Sequence, residues 1–234
     1  MFAIFRRELR SYFTSPIAYI YIAVFYALAS FYFFGTALLS NSTNLSYVFS
    51  YLFTISMFLI PILTMRLLSE DKKYKTDQAL LTAPISLLSL VLGKYLAALF
   101  VYFIGIAITL VFGVIIAAFT PPDWAVIFGH FIGLLLLGAA LIAIGTFISS
   151  LTENQVIAAV GGFAVGFALM LVEALTSVVQ SPLLQSIISG ISFTSRYQSF
   201  TVGVLNFADV IFFLSVCVVF IFFTVRVFEK RRWS

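Results

Sequence analysis

Charged side chains are scarce in this 234-residue chain. Only 9% of its residues are Asp, Glu, Lys or Arg, whereas 62% are hydrophobic and 18% are aromatic. A soluble globular domain has about 25% charged residues, so this chain lacks the charge that covers a water-exposed surface. Its long apolar runs show no period-two alternation, so the sequence predicts an all-α integral membrane protein rather than a barrel.

Residues that bind metals, form disulfides or bind nucleotides are also scarce. Cys217 and His130 are the single cysteine and histidine, which leaves neither a disulfide framework nor a cluster of metal ligands. A phosphate-binding loop needs the pattern GxxxxGK[ST], but Leu88 stands at its first glycine position before Gly93-Lys94, and Tyr95 follows the lysine. The sequence therefore predicts no metal, no cofactor and no ATP hydrolysis in this chain.

Six apolar stretches are long enough to cross a bilayer as helices. About twenty apolar residues span the hydrocarbon, and the six stretches are about 17–39, 46–65, 87–118, 125–149, 155–179 and 207–228. The third is long, and we expect it to be tilted or broken. The half-polar residues 181–204 predict short extracytoplasmic helices that do not cross, with a seventh span as the alternative. We expect residues 1–234 to form a single membrane domain.

The first 14 residues, MFAIFRRELRSYFT, form an amphipathic pattern. On a helical wheel the aromatic residues and Leu9 fall on one side, whereas Arg6, Arg7 and Arg10 fall on another. This pattern is typical of a helix that lies on the membrane surface with its arginines toward the lipid phosphates.

The cations predict the orientation of the chain. Lys and Arg are enriched in cytoplasmic loops. With six spans and a cytoplasmic N-terminus, twelve of the 13 cations lie on the cytoplasmic side and only Arg196 lies outside. Because the cations flank apolar runs, they indicate membrane topology rather than a surface for nucleic acid, and both termini are expected in the cytoplasm.

Residues 66–77 concentrate the charge of the chain. Seven charged side chains lie in these twelve residues, against 13 cations and nine anions in the whole chain. A short helix is predicted over 76–83, capped by Thr76 and ended by Pro84. The segment is either a solvated loop with a helix on the membrane, or a docking surface on which the charges select a partner and leucines fill a groove.

Residues 76–98, TDQALLTAPISLLSLVLGKYLAA, resemble the signature of ABC-2-type transporter permeases. In that family an acidic GTxE-like stretch leads into LLTxP, and a GK(x)LA element opens the next span. The N-terminal FRRELRSYFTSPIAY and the six-span layout also resemble the family, and ELRSYFTSPI with the RRW ending is similar to its gliding-motility-associated branch. Lys75-Thr76-Asp77-Gln78 departs from the family's Gly-Thr-x-Glu. The matching residues are Asp77, Leu80, Leu81, Thr82, Pro84, Gly93, Lys94, Leu96 and Ala97.

The resemblance implies a transporter subunit in a bacterial-type cytoplasmic membrane. Residues 66–86 would be a cytoplasmic coupling element seated on a separate ABC ATPase, which would bind ATP and Mg. A second permease subunit, identical or related, would complete the transporter. The 149–155 turn would be a second contact, although a capping box of Thr152 and Gln155 is an alternative interpretation. The implied contacts are Arg66, Glu70, Asp71, Lys72, Lys73, Asp77, Leu80, Leu81, Thr152 and Glu153.

Glu173 is a carboxylate within the fifth span. It lies 18 residues after Gln155, about 27 Å along a helix, which places it near the outer interface. A pathway or gating role, with Arg196 as a possible partner, and a solvated helix end both stay open. Asp209 is interpreted as a charge at a helix N-terminus.

Two GxxxG pairs, Gly129–Gly133 and Gly162–Gly166, predict close helix packing within a subunit or across a dimer.

Three other functions stay open besides a permease. These are a non-transporting scaffold for a cytoplasmic ATPase complex, an ATP-independent carrier or channel, and an intramembrane protease using Ser192 and His130.

Overall fold

The computed structural model of the chain describes residues 1–39, 45–76, 85–178, 182–201, 203–204 and 206–232. Within these residues all regular structure is helical and there is no strand. The helices are α1 Phe2–Thr14, α2 Pro16–Phe33, α3 Ser46–Thr64, α4 Ser69–Lys73, α5 Leu87–Ile106, α6 Ile108–Ala117, α7 Trp124–Leu151, α8 Gln155–Val178, α9 Pro182–Ile191, α10 Phe193–Thr201 and α11 Phe207–Arg232.

Six long apolar helical stretches confirm the predicted spans. The third is broken at Ala107, between α5 and α6, as its length led us to expect. The first ends in a π-helical turn over Phe34–Leu38. Between the fifth and sixth stretches, α9 and α10 are the predicted short helices, and the described residues contain no seventh span. The stretches are Pro16–Leu38, Ser46–Lys73, Leu87–Ala117, Trp124–Leu151, Gln155–Val172 and Phe207–Arg231.

Polar caps fix where the spanning helices begin. Ser15 Oγ accepts a hydrogen bond from the Ile17 amide, and Pro16 occupies the first position of α2. Asp123 Oδ1 accepts from the amides of Ala125 and Val126 at the start of α7. These side chains satisfy amides that the first helical turn leaves free, so each polar turn directs the chain into the next span.

The long helix α7 lies at the centre of the molecule. It packs against α3, α5, α8, α10 and α11, and small residues on its surface allow the close approach. A Cβ on Gly138 would lie 2.0 Å from the ring of Tyr102, and a Cβ on Gly145 would lie 2.2 Å from Thr64 Oγ1. Neighbouring helices therefore place whole side chains over these two glycines.

Both GxxxG pairs are used within the subunit. Gly129 faces the backbone of α10, where a Cβ would lie 2.6 Å from the Phe200 carbonyl oxygen. In α8, a Cβ on Gly162 would lie 2.8 Å from Pro61 Cβ of α3, and a Cβ on Gly166 would lie 3.0 Å from the Met57 carbonyl oxygen. Pro61 has no amide hydrogen, so the Met57 carbonyl lacks its usual helical donor. The small residues of α8 fit against this irregular surface of α3.

Candidate functional site

A lysine and two carboxylates meet beneath α1, in the first half of α5. Lys94 Nζ lies 3.0 Å from Glu8 Oε1 and 2.8 Å from Asp71 Oδ2, and all three residues are buried. Arg7 Nη2 closes the open edge, at 3.6 Å from Glu8 Oε1 and 3.7 Å from Asp71 Oδ1. We call Arg7, Glu8, Asp71 and Lys94 the Lys94 cluster. Its two positive and two negative charges balance, as a buried charged group requires.

The glycine beside this lysine lets α1 approach α5. A Cβ on Gly93 would lie 2.9 Å from Ile4 Cγ2 and 3.3 Å from the Met1 carbonyl oxygen. The Gly93-Lys94 pair therefore serves helix docking: the glycine allows contact, and the lysine neutralises the acids that α1 and α4 bring to it.

Arg66 links the charged segment to the turn between α1 and α2. Its Nη1 donates to Ser15 Oγ at 2.8 Å and its Nη2 to Ser11 Oγ at 3.0 Å. Its Nε lies 2.9 Å from Glu70 Oε2, one helical turn further along. The planar guanidinium thus uses its fork of donors to connect three parts of the chain.

Tyr12 supports the same junction from inside. Its hydroxyl donates to the Leu63 carbonyl oxygen at 2.9 Å, and the Arg66 guanidinium carbon lies 5.5 Å from its ring centroid. Burial raises the pKa of the Tyr12 phenol well above its ordinary value, and the nearby Arg66 opposes this only in part. The phenol therefore stays protonated and remains a hydrogen-bond donor.

The turn between α3 and α4 is held on the end of α7 by one serine. Ser149 Oγ accepts from the amides of Leu68 and Ser69, each at 3.1 Å, and donates to the Met65 carbonyl oxygen at 3.1 Å. Because Ser149 is fully buried, these bonds satisfy backbone groups that water does not reach.

Lys72 fastens α4 to the same end of α7. Its Nζ donates to the Ser150 carbonyl oxygen and lies 5.9 Å from the ring centroid of Phe228 in α11. Lys72 is only 6% exposed, so its charge is directed into the membrane domain.

The predicted ATPase contacts that the structure describes fall into three groups. Arg66, Asp71 and Lys72 turn inward, as their contacts above show, whereas Lys73 and Glu153 are exposed. Glu70 and Thr152 are half-buried. Asp77, Leu80 and Leu81, with most of the helix predicted over 76–83, lie outside the described residues. Contact with an ATPase stays a prediction for all of these residues.

At Lys75, where the resembling family has glycine, the backbone has a conformation that favours glycine. It has φ of 56°, and Tyr74, Lys75 and Thr76 are all exposed. This left-handed conformation suits glycine and is unfavourable for lysine. The family's glycine at this position therefore fits the backbone observed here.

The 152–155 turn differs from the capping box considered for it. Asn154 caps α8, because its Oδ1 accepts from the Val156 amide at 2.9 Å. Thr152 Oγ1 accepts instead from the Asn154 amide at 3.1 Å. The interpretation of Thr152 as the N-cap of α8 was therefore wrong. Arg231 Nη2 lies 3.3 Å from Glu153 Oε1, which links this turn to the end of α11.

Arg196, the cation that the sequence analysis places outside, forms an ion pair that the sequence did not predict. Its Nη1 lies 3.0 Å from Asp209 Oδ1, and Ser199 Oγ donates to Asp209 Oδ2 at 2.6 Å. Asp209 is thus a buried ion-pair partner as well as a charge in the first turn of α11. The side chain of Glu173 lies outside the described part, and the gating role of Glu173 and Arg196 stays a prediction.

His130 takes part in helix packing. Its Nδ1 and Tyr197 Oη are hydrogen-bonded at 3.0 Å, and its ring stacks on Phe49 with centroids 4.3 Å apart. Ser192 Oγ instead accepts from the Ser195 amide. These contacts give no nucleophile–base pair for the protease alternative. Among the described residues, no group of three or more His, Cys, Asp or Glu side chains could hold a metal ion.

The helices and their apolar surfaces define a multi-pass α-helical membrane protein. A family model described as ABC-2 family transporter protein matches residues 39–228, which is most of the chain. The chain therefore belongs to this family. A search of curated proteins finds no match. Membership makes the chain a permease, the transmembrane component of an ABC transporter, and implies an ABC ATPase partner in general terms.

Proposed function

We propose that the chain couples ATP hydrolysis by a separate ABC ATPase, with ATP and Mg bound there, to export of a substrate. The observation that carries this proposal is the family match over residues 39–228, which begins just after the first span and covers the second to fifth spans and most of the sixth. The chain itself would supply the membrane pathway and the surface that receives the ATPase.

The exposed end of the charged segment is the proposed coupling surface. Lys73, Tyr74 and Lys75 are exposed there, and Asp77, Leu80 and Leu81 follow in sequence. Mixed charges next to leucines suit a partner surface that is charged at its rim and apolar at its centre. Arg66, Asp71 and Lys72 would act differently from our sequence-based prediction: they would fasten this element to the spans.

The contacts beneath α4 support transmission of movement into the membrane. The Lys94 cluster joins α4 to α1 and α5, and Ser149 and Ser150 join it to α7. A displacement of residues 73–86 by an ATPase would therefore act on several helices at once. Hydrogen-bonded and ion-paired contacts of this kind are the links through which coupling is carried.

The complete transporter needs a second permease subunit, identical or related. The first, fifth and sixth spans bury little of their apolar surface within the chain, which leaves room for a partner subunit or lipid. We further propose a bacterial-type cytoplasmic membrane, both termini in the cytoplasm, and the gliding-motility-associated branch that ELRSYFTSPI and the RRW ending resemble. Glu173 and Arg196 would lie toward the outer end of the pathway.

Co-purification tests the coupling proposal. A candidate ABC ATPase is co-expressed and captured with the wild-type chain, with Leu80→Asp/Leu81→Asp, and with the control Val204→Asp/Phe207→Asp. The control places the same charges on exposed apolar residues of the predicted outer side. We expect the wild-type chain and the control to retain the ATPase and its activity in lipid, and the Leu80/Leu81 variant to lose both. Retention by that variant, or no capture by wild type, would refute the assignment of this surface.

A further inference from the structure

An apolar groove lies between α1 and α5 on the lipid-facing surface. It has a volume of about 440 Å³. Phe2 and Phe5 of α1 form one wall, Leu99 and Phe100 of α5 form the other, and Leu135 of α7 contributes to the lining. No charged side chain lines it, so the groove suits hydrocarbon rather than water or a polar ligand.

The groove extends from the membrane surface toward the hydrocarbon. Its α5 wall includes residues from Leu96 to Phe103, a rise of about 10 Å along a helix. Phe5 and Phe100 meet edge to face with centroids 6.2 Å apart. Phe100 and Phe103 are each 41% exposed, which leaves the groove open on its lipid side. An extended acyl chain has the shape and the chemistry to occupy it.

The surface charge of α1 next to the groove is positive. Arg6 and Arg10 are exposed and have no carboxylate partner among the described residues. Glu8, the acid of this helix, is buried against Lys94 and is therefore withdrawn from the surface. Arg6 lies one helical turn after the groove residue Phe2 and about 40° from it around the helix axis, at the border of the apolar side of α1. It thus lies between the apolar and the water-facing sides of the helix.

We propose that this groove is a binding site for one anionic phospholipid of the leaflet in which α1 lies. One acyl chain occupies the groove, and Arg6 binds the headgroup phosphate, with Arg10 adding to the positive field. Each exposed arginine near an anionic surface contributes attraction, and an apolar groove beside it fixes the position of the lipid.

Native mass spectrometry with phosphatidylglycerol and phosphatidylcholine tests the site. The purified chain is titrated with each lipid, and the dissociation constant of the first bound lipid is measured. We expect tighter binding of phosphatidylglycerol. Arg6→Gln should weaken that binding about fivefold, which corresponds to about 1 kcal/mol per arginine, and should leave phosphatidylcholine unchanged. Leu99→Trp should fill the groove and weaken the binding of both lipids.

Two matched controls separate a site from general attraction. Arg226→Gln removes an arginine that is already paired with Glu229 at 2.7 Å, and Val218→Trp adds the same ring at a residue that is 67% exposed. Both should bind phosphatidylglycerol like wild type. The proposal is overturned if Arg226→Gln weakens phosphatidylglycerol binding as much as Arg6→Gln does, or if Val218→Trp weakens lipid binding as much as Leu99→Trp does. It is also overturned if Arg6→Gln or Leu99→Trp binds phosphatidylglycerol like wild type, or if wild type binds both lipids equally well. Circular dichroism at equal helix content confirms that each compared variant is folded.

Discussion

Replacing Lys94 by methionine should destabilise the membrane domain strongly. Lys94 Nζ is the closest cation to both Glu8 and Asp71, at 3.0 and 2.8 Å, and the two acids are each 8% exposed. Removing one partner of a buried ion pair costs about 3–5 kcal/mol, because the remaining charge is left uncompensated. Arg7 stays 3.6–3.7 Å from both acids, so we expect a loss near 3 kcal/mol.

The assay is unfolding by sodium dodecyl sulfate in mixed micelles, followed by circular dichroism. Lys75→Met is the matched control, since Lys75 is exposed and its loss should change the free energy of unfolding by less than about 0.5 kcal/mol. Adding Glu8→Gln and Asp71→Asn to Lys94→Met should restore most of the loss, because no uncompensated buried charge then remains. A Lys94→Met variant as stable as the control, or a triple variant that recovers nothing, would show that the ion pairs do not set the stability of this junction.

Two further changes test the backbone and the packing by the same measurement. Lys75→Gly should raise the free energy of unfolding by about 1 kcal/mol, because it relieves a left-handed φ of 56°; Lys73→Gly, in helical backbone, should lower it by about as much. Gly138→Ala should lower it by about 1–3 kcal/mol, since the new Cβ would lie 2.0 Å from the Tyr102 ring. Gly35→Ala has no atom within 4 Å and should cause no such loss. Equal changes in the free energy of unfolding for Lys75→Gly and Lys73→Gly, or for Gly138→Ala and Gly35→Ala, would contradict these local explanations.

The spans could be predicted from the sequence because their signals are local. A span needs only an apolar run of sufficient length and polar turns at its ends. The predicted start at residue 125 falls one residue after Trp124, where Asp123 caps α7. The break in the third span and the two short outer helices were predictable for the same reason: unusual length in one case and a half-polar composition in the other.

The partners of the charged side chains could not be predicted in the same way. Lys94 pairs with Glu8 and Asp71, residues that are far from it in sequence and that meet it only after α1 and α4 dock. One signal was nevertheless present, because Lys94 is the eighth residue of α5 and a lysine inside a span requires a partner. Arg196, the single cation expected outside, also called for a partner, but the sequence analysis named Glu173, whereas the structure pairs Arg196 with Asp209.

The inward and outward charges of α4 explain why charge is concentrated in this segment. Successive residues of a helix point about 100° apart, so one short helix can direct Asp71 and Lys72 into the membrane domain and Lys73 away from it. The proposed coupling surface needs both properties. It must be exposed to meet the partner, and it must be fastened to the helices that move. Because Asp71 and Lys72 are satisfied within the chain, they give the segment its attachment, and Lys73 and Lys75 supply its exposed positive charge.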